Sequence, residues 1–93
     1  LARLHRADVV HGDPTTRNVR VGERVFLIDF GLGYHSGHVE DHAMDLHVLG
    51  QSLDGTADDP DRLRAAAREG YAAVGERAVL DRLEGVEARG RYR

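Results

Sequence analysis

The stretch from Val10 to Gly33 leaves this chain few ways to fold. It reads V-H-G-D-P-T-T-R-N-V-R-V, a G-E turn, then R-V-F-L-I-D-F-G-L-G. Pro14 denies helix to the residue before it and Gly12 breaks any run ahead of it, so His11 to Asn18 is loop. Val19-Arg20-Val21 alternates as a strand, Gly22-Glu23 reads as a two-residue hairpin turn, and Arg24 to Ile28 forms the return strand. Asp13 and Asn18 on the loop are thus held apart from Asp29, at the end of the second strand, by a short apolar hairpin.

Flanking segments read as helix. Leu1 to Ala7 looks like the end of a helix with Leu1 and Leu4 on one face, and Val9-Val10 is a short extended piece. Gly31, Gly33 and Gly37 loosen the segment after Asp29. A helix then starts around Asp41 and ends near Gly55, with Ala43, Leu46, Val48, Leu49 and Leu53 on its apolar face. Asp58-Asp59-Pro60 is a helix start, an acidic cap followed by Pro in the first turn. The buried stripe expected there is Leu63, Ala66, Ala67, Tyr71 and Val74, closed by Gly75. Glu76 to Glu87 makes a further helix with Val79, Leu80, Leu83 and Val86 inward, and residues 88–93 are read as a basic tail. The expected class is α+β and mainly helical: a small β-hairpin followed by about three helices, in one domain over residues 1–93.

Composition narrows the chemistry. With 93 residues there is room for one small domain. Leu1 opens the chain inside an apparent helix, so the expectation is a piece of a longer protein. No run nears the roughly 18 apolar residues needed to span a membrane, and a membrane partner is not expected. The absence of cysteine excludes disulfides and thiolate metal sites and is compatible with a cytoplasmic setting. All 13 basic side chains are arginine. Any lysine that grips nucleotide phosphates must therefore lie outside this chain. The net charge of -3 does not advertise nucleic-acid binding, although Arg89, Arg91 and Arg93 concentrate positive charge at one end.

The two acidic sites suit one reaction type. Phosphoryl transfer from ATP needs Mg²⁺ bridging the phosphates, oxygen ligands to hold the metal, and a base near the attacking hydroxyl or water. An Asp with an Asn five positions later supplies a base and one metal oxygen, and an Asp ending the next strand supplies the main metal ligand. Asp13, Asn18 and Asp29 fit that scheme. Each motif alone reads as a capped turn or a strand end; the joint spacing carries the functional reading.

H-G-D-P-T-T-R-N, L-I-D-F-G-L-G, the run E-D-H-A-M-D-L and the ending R-G-R-Y-R together resemble the small atypical kinase/ATPase subunit of the KEOPS complex, a group related to RIO kinases. The resemblance covers nearly the whole chain. It implies a protein-kinase-like C-terminal lobe without the N-terminal lobe, and a Mg-ATP-dependent serine/threonine kinase/ATPase that supports threonylcarbamoyl modification of adenosine in tRNA. The threonylcarbamoyl-transfer enzyme, other KEOPS subunits and tRNA would be its partners. By the same resemblance Asp13 is the catalytic Asp, Asn18 and Asp29 hold magnesium and nucleotide, His11 props the loop against the D-F-G segment, and Asp45 ties down the loop backbone from the central helix. Contact with tRNA or a partner would fall to Arg89, Arg91 and Arg93.

The chain departs from general protein kinases at Gly12, where they carry Arg, and at Thr15, where they carry Lys. It also has only about ten residues between Asp29 and Asp41 and no A-P-E. Pro14 stands where KEOPS kinases usually have Leu, and this gives some weight to a second reading, a small-molecule phosphotransferase of the aminoglycoside or choline kinase kind. A third is a non-catalytic docking lobe. The spacing of His35, His38 and His42 could be drawn as a metal site, but a zincin helix needs Glu directly after its first His, and Val39 is there. They are read as lining a mobile surface segment.

Overall fold

A computed structural model describes residues 1–91, leaving aside the side chains of residues 90 and 91. The chain is mainly helical, with two small two-stranded sheets. In order come α1 (Ala2–Arg6), β1 (Val9–Val10), a 3-10 turn (Thr16–Asn18), β2 (Val19–Val21), β3 (Val25–Leu27), β4 (Tyr34–His35), α2 (Val39–Thr56), α3 (Pro60–Val74) and α4 (Arg77–Arg91).

Helix α2 is the spine. Its 18 residues span roughly 27 Å at 1.5 Å rise per residue. Glu40 and Asp41 lie in its first turn, where a carboxylate complements the helix dipole. Ala43 and Leu46 are buried, whereas Val48, Leu49 and Leu53 are half-buried. The core lies where α2 meets α1, α3 and α4. It comprises Ala2, Ala43, Leu46, Tyr71, Val79, Leu83 and Val86, with Leu1, Val39 and Leu80 packed at its margin. The inward face of α4 is therefore the one its spacing predicts. That helix also continues past Glu87 to Arg91, so the first part of the expected tail is helical.

Helix α3 starts as its sequence demands: Asp59 accepts from the Arg62 N–H and Pro60 occupies the first turn. Its expected stripe is a different matter. Tyr71 is buried, but Leu63, Ala66 and Val74 are exposed. Val74 and Ala67 face an open groove shared with Leu1, Pro14, Val25, Phe26 and Phe30 instead of a packed neighbour. In α1 the inward residues are Ala2 and His5, not Leu1 and Leu4, which are only half-buried.

The sheets are built by two kinds of pairing. β2 and β3 are antiparallel with Val19 opposite Leu27 and Val21 opposite Val25. Three residues, Gly22 to Arg24, make the turn rather than two. β1 pairs antiparallel with β4, Val9 opposite His35 and Val10 opposite Tyr34. This second pairing converts the glycine-rich segment expected to be loose into a strand. Further along, the Ser36 N–H donates to the Asp8 carbonyl at 2.8 Å, and the buried His42 donates from Nε2 to the Ser36 carbonyl at 2.7 Å. His42 therefore belongs to the interior, not to a mobile surface segment.

Candidate active site

Helix α2 holds the loop between β1 and β2 at two points. Asp45 takes its start: Oδ2 accepts from the His11 N–H at 2.8 Å and Oδ1 from the Gly12 N–H at 2.9 Å. Ser52 takes its end, with Oγ accepting from the Thr16 N–H at 2.9 Å. The Thr16 hydroxyl lies 3.1 Å from both Ser52 Oγ and Thr56 Oγ1. Asp45 and Ser52 stand seven residues apart, two turns along one face, so a rigid rod sets the loop's span.

Between those anchors the loop is shaped by its own residues. Gly12 adopts φ +89°, and a Cβ there would come within 2.8 Å of the Leu32 carbonyl carbon. No side chain fits, which gives a physical reason for glycine at this position. The Pro14 ring is fully buried, and the Thr15 N–H donates across it to the Asp13 carbonyl at 2.8 Å. Asn18 is buried. Its Nδ2 donates to the Asp13 carbonyl at 2.8 Å and reaches Asp13 Oδ2 at 3.3 Å. The carboxamide nitrogen is thus spent on Asp13, and its oxygen is left to act as an acceptor.

Asp29 is linked to this loop through the residue before it. Ile28 donates its N–H to the Asn18 carbonyl at 2.9 Å and accepts at its carbonyl from His11 Nε2 at 2.8 Å. Because Nε2 donates, His11 Nδ1 is the acceptor, and it takes the Asp13 N–H at 3.1 Å. The fully buried His11 ring packs on Phe30 with centroids 4.5 Å apart. Asp29 itself has φ +57°, a left-handed conformation uncommon for a non-glycine residue and concentrated at functional sites. Its carboxylate accepts the Gly31 N–H at 3.4 Å.

The structure therefore connects Asp13, Asn18, His11 and Asp45 through hydrogen bonds, and Asp29 joins them through the backbone of its neighbour Ile28. Asn18 and Asp29 offer hard oxygen donors of the kind magnesium takes, alongside waters and phosphate oxygens. Arg89 lies apart from this set, its Nη2 2.8 Å from Glu40 Oε1 in an exposed pair. The Arg91 side chain and Arg93 fall outside the described residues. Two participants, His5 and Tyr71, escape the motif reading. His5 lies 2.7 Å from Asp45 through Nε2 and 2.7 Å from the Tyr71 hydroxyl through Nδ1. The signal available for His5 is a histidine one residue beyond Leu4 on the inward side of α1.

Electrostatics follow from burial. The His5 imidazole is held below its ordinary value, burial outweighing the attraction of Asp45. Burial alone would raise Asp45, but donors from His5, Gly12 and His11 together hold its carboxyl below the ordinary value. The Tyr71 hydroxyl is pushed up to about 12 by burial, then by Glu76 and Asp45.

The site thus comprises a loop carrying Asp13 and Asn18, Asp29 two residues beyond β3, and a central helix that binds the loop backbone. No family model matches the chain. Individual proteins do. The chain is 61% identical over 93 residues to a Haloquadratum walsbyi protein named "Probable bifunctional tRNA threonylcarbamoyladenosine biosynthesis protein", covering 99% of this chain and 17% of the relative. A protein of the same name from Halobacterium salinarum is 62% identical over 94 residues, covering 99% of this chain and 18% of that protein. A "Probable serine/threonine-protein kinase BUD32 homolog" from Archaeoglobus fulgidus is 41% identical over 93 residues, covering 98% of this chain and 48% of the relative. The chain thus spans less than a fifth of these bifunctional relatives and about half of the kinase homolog. Nearly its whole length is thus similar to a part of proteins named for tRNA threonylcarbamoyladenosine biosynthesis and to about half of a protein named as a serine/threonine-protein kinase BUD32 homolog.

Proposed function

We propose that the chain is the C-terminal-lobe portion of a Mg-ATP-dependent kinase/ATPase of the KEOPS type, acting in support of threonylcarbamoyl modification of adenosine in tRNA. The observation that carries this reading is the double tether of Ile28, to Asn18 on one side and His11 on the other. It fixes the backbone next to the Asp29 carboxylate, just beyond β3, against a loop carrying a second carboxylate and a carboxamide oxygen. The names of the relatives, joining a serine/threonine kinase homolog with tRNA threonylcarbamoyladenosine biosynthesis, support the same reading.

In this reading Asp13 acts as the base that orients the attacking hydroxyl or water, and Asn18 and Asp29 hold Mg²⁺ with the ATP phosphates. The metal would neutralise charge developing on the phosphoryl group. His11 and Asp45 hold the loop in register. The chain has no lysine, so a phosphate-gripping lysine and the rest of the nucleotide enclosure come from outside these residues. The threonylcarbamoyl-transfer enzyme, other KEOPS subunits and tRNA are the proposed partners, in the cytoplasm. Arg89, Arg91 and Arg93 form the proposed tRNA or partner contact. The pair between Arg89 and Glu40 is exposed, and such pairs are weak enough to exchange for a phosphate.

The test is ATP hydrolysis by the full-length protein. Asp13→Ala and Asp29→Ala are each expected to abolish it, while Arg91→Ala leaves hydrolysis intact and weakens tRNA affinity. Undiminished turnover in Asp29→Ala would overturn the assignment. Phosphorylation of an aminoglycoside or choline would favour the small-molecule phosphotransferase instead, and unchanged tRNA affinity in Arg91→Ala would defeat the basic-end contact.

A further inference from the structure

We propose that Ser52, near the end of α2, is a positioning residue for Asn18, and that Thr56 sets the direction of the hydroxyl chain through which it acts. The link runs through one peptide unit. Its N–H belongs to Thr16 and donates to Ser52 Oγ at 2.9 Å. Its carbonyl belongs to Thr15 and accepts the Asn18 N–H at 2.9 Å. A peptide unit is planar, so a bond that fixes its N–H also aims its carbonyl. Ser52 thereby holds the carbonyl on which the 3-10 turn closes, and Asn18 is the residue that closes it. The turn does not hold its own start, because the Thr15 side chain makes no capping bond. The acceptor that a cap would supply comes instead from α2. Asp45 grips the start of the loop, and Ser52 acts on the end that carries Asn18.

Three hydroxyls reinforce that bond, and their protons can be ordered in one way only. A carbonyl accepts and cannot donate, so the Thr56 hydroxyl donates to the Ser52 carbonyl at 2.7 Å. Its one proton is then spent, and at the 3.1 Å contact between Thr16 Oγ1 and Thr56 Oγ1 the Thr16 hydroxyl donates. That spends the Thr16 proton, so at the 3.1 Å contact between Thr16 Oγ1 and Ser52 Oγ the Ser52 hydroxyl donates. Each hydroxyl gives one bond and takes one, and the chain begins and ends on Ser52. A threonine bonded to the carbonyl four positions back is ordinary in a helix. Here that bond has a further effect: it makes the Thr56 oxygen an acceptor for the loop and leaves a Ser52 lone pair for the Thr16 N–H. Bonds linked in such a chain polarise and strengthen one another.

The activity arm of the test rests on the kinase/ATPase reading; the exchange arm does not. Amide hydrogen exchange is read first, on the full-length protein. In Ser52→Ala the Thr16 and Asn18 amides are expected to exchange about threefold to tenfold faster, while amides of α4 stay protected and report an intact fold. Alanine is the better helix former, so α2 itself is not weakened and the change traces to the hydroxyl. Thr56→Val keeps the branched shape and removes only the hydroxyl; its Thr16 and Asn18 amides are expected to fall between wild type and Ser52→Ala. Thr56→Ser restores the hydroxyl and should return them to wild type. In the activity arm, the Mg²⁺ concentration for half-maximal ATP hydrolysis is expected to rise about threefold to tenfold in Ser52→Ala, with kcat at saturating Mg²⁺ within about twofold, because the loss falls on the turn that carries Asn18. Unchanged protection at Thr16 and Asn18 in Ser52→Ala would overturn the proposal, and equal departures in Thr56→Val and Thr56→Ser would remove Thr56 from it. A fall in kcat with the Mg²⁺ requirement unchanged would overturn the assignment of Ser52 to Asn18. A wild-type protein without ATPase activity would count against the kinase reading, and the exchange comparison would still decide the role of Ser52.

Discussion

Nε2 of His11 lies 2.8 Å from the carbonyl oxygen of Ile28. Through that bond the loop carrying Asp13 and the segment after β3 that carries Asp29 become one unit, although 16 positions separate the two carboxylates in the sequence. The other nitrogen of the same ring accepts the Asp13 N–H. One buried side chain therefore satisfies a polar group in each loop, and Phe30 seals its face.

Replacing His11 by Leu leaves the Ile28 carbonyl and the Asp13 N–H without these partners. Each stranded group costs about 1–3 kcal/mol. The expected result is a loss of about 2–4 kcal/mol in stability, read from the urea unfolding midpoint of the full-length protein. A midpoint equal to wild type would show that water replaces both bonds.

Gly12→Ala confronts both a left-handed φ and the backbone of Leu32. The strain alone is worth about 1–3 kcal/mol, and the steric conflict forces the Leu32 segment away. Thermal unfolding should show a lower midpoint, and ATP hydrolysis should fall because Asp13 is the next residue. Gly22→Ala is the control: its Cβ meets nothing within 4 Å, and the midpoint should stay near wild type.

Stability should decline on acidification, in a window set by His5. Folded His5 has a lowered pKa, whereas the unfolded side chain titrates near its ordinary value of about 6.5. Below that pH the unfolded state binds more protons than the folded state, so stability falls as pH falls. Asp45 adds a second loss at lower pH: its folded carboxyl is also lowered, and the stability it contributes above the unfolded carboxylate value disappears as pH drops through the folded one. Denaturation midpoints at steps from about pH 8 to 5 should be level at first and fall below about 6.5. His5→Gln, facing the same Asp45, His42 and Tyr71, should flatten the upper part of that fall. A profile that His5→Gln leaves unaltered would assign the acid sensitivity to other groups.

Leu83 and Leu32 offer a contrast within one residue type. Leu83 is 3% exposed against α2, and Leu32 is 66% exposed. Leu83→Ala should cost about 2–5 kcal/mol, and Leu32→Ala within about 0.5 kcal/mol, both read by chemical denaturation. A large loss at Leu32 would mean that this segment is covered in the full-length protein.

The 93 residues alone are expected to show negligible ATPase activity, since they contain no lysine to grip the phosphates. A steady-state phosphate-release assay checks this. Turnover that disappears in Asp29→Ala would reverse the expectation and place the whole catalytic apparatus within the chain.

Local chemistry was enough to read several features from the residues. Pro14 and Gly12 force a loop, the alternation of Val19 to Val21 makes a strand, and Asp59-Pro60 starts α3. The 3.6-residue spacing of Val79, Leu83 and Val86 marks the face that α4 buries. Asp13, Asn18 and Asp29 could be proposed as a site from the sequence because the proposed chemistry depends on short-range spacing. What the chain could not show was decided by contacts between distant segments. The pairing of β1 with β4 joins positions 9–10 to 34–35, and no periodicity in a glycine-rich segment announces it. Leu63 and Val74 carry the pattern of a buried stripe yet stay exposed, because periodicity marks a face without saying whether a neighbour covers it. His5, Tyr71 and His42 look like isolated residues until α1, α2 and α3 converge on Asp45. Burial then makes each unpaired polar atom costly, and only the tertiary arrangement supplies the partners that remove that cost.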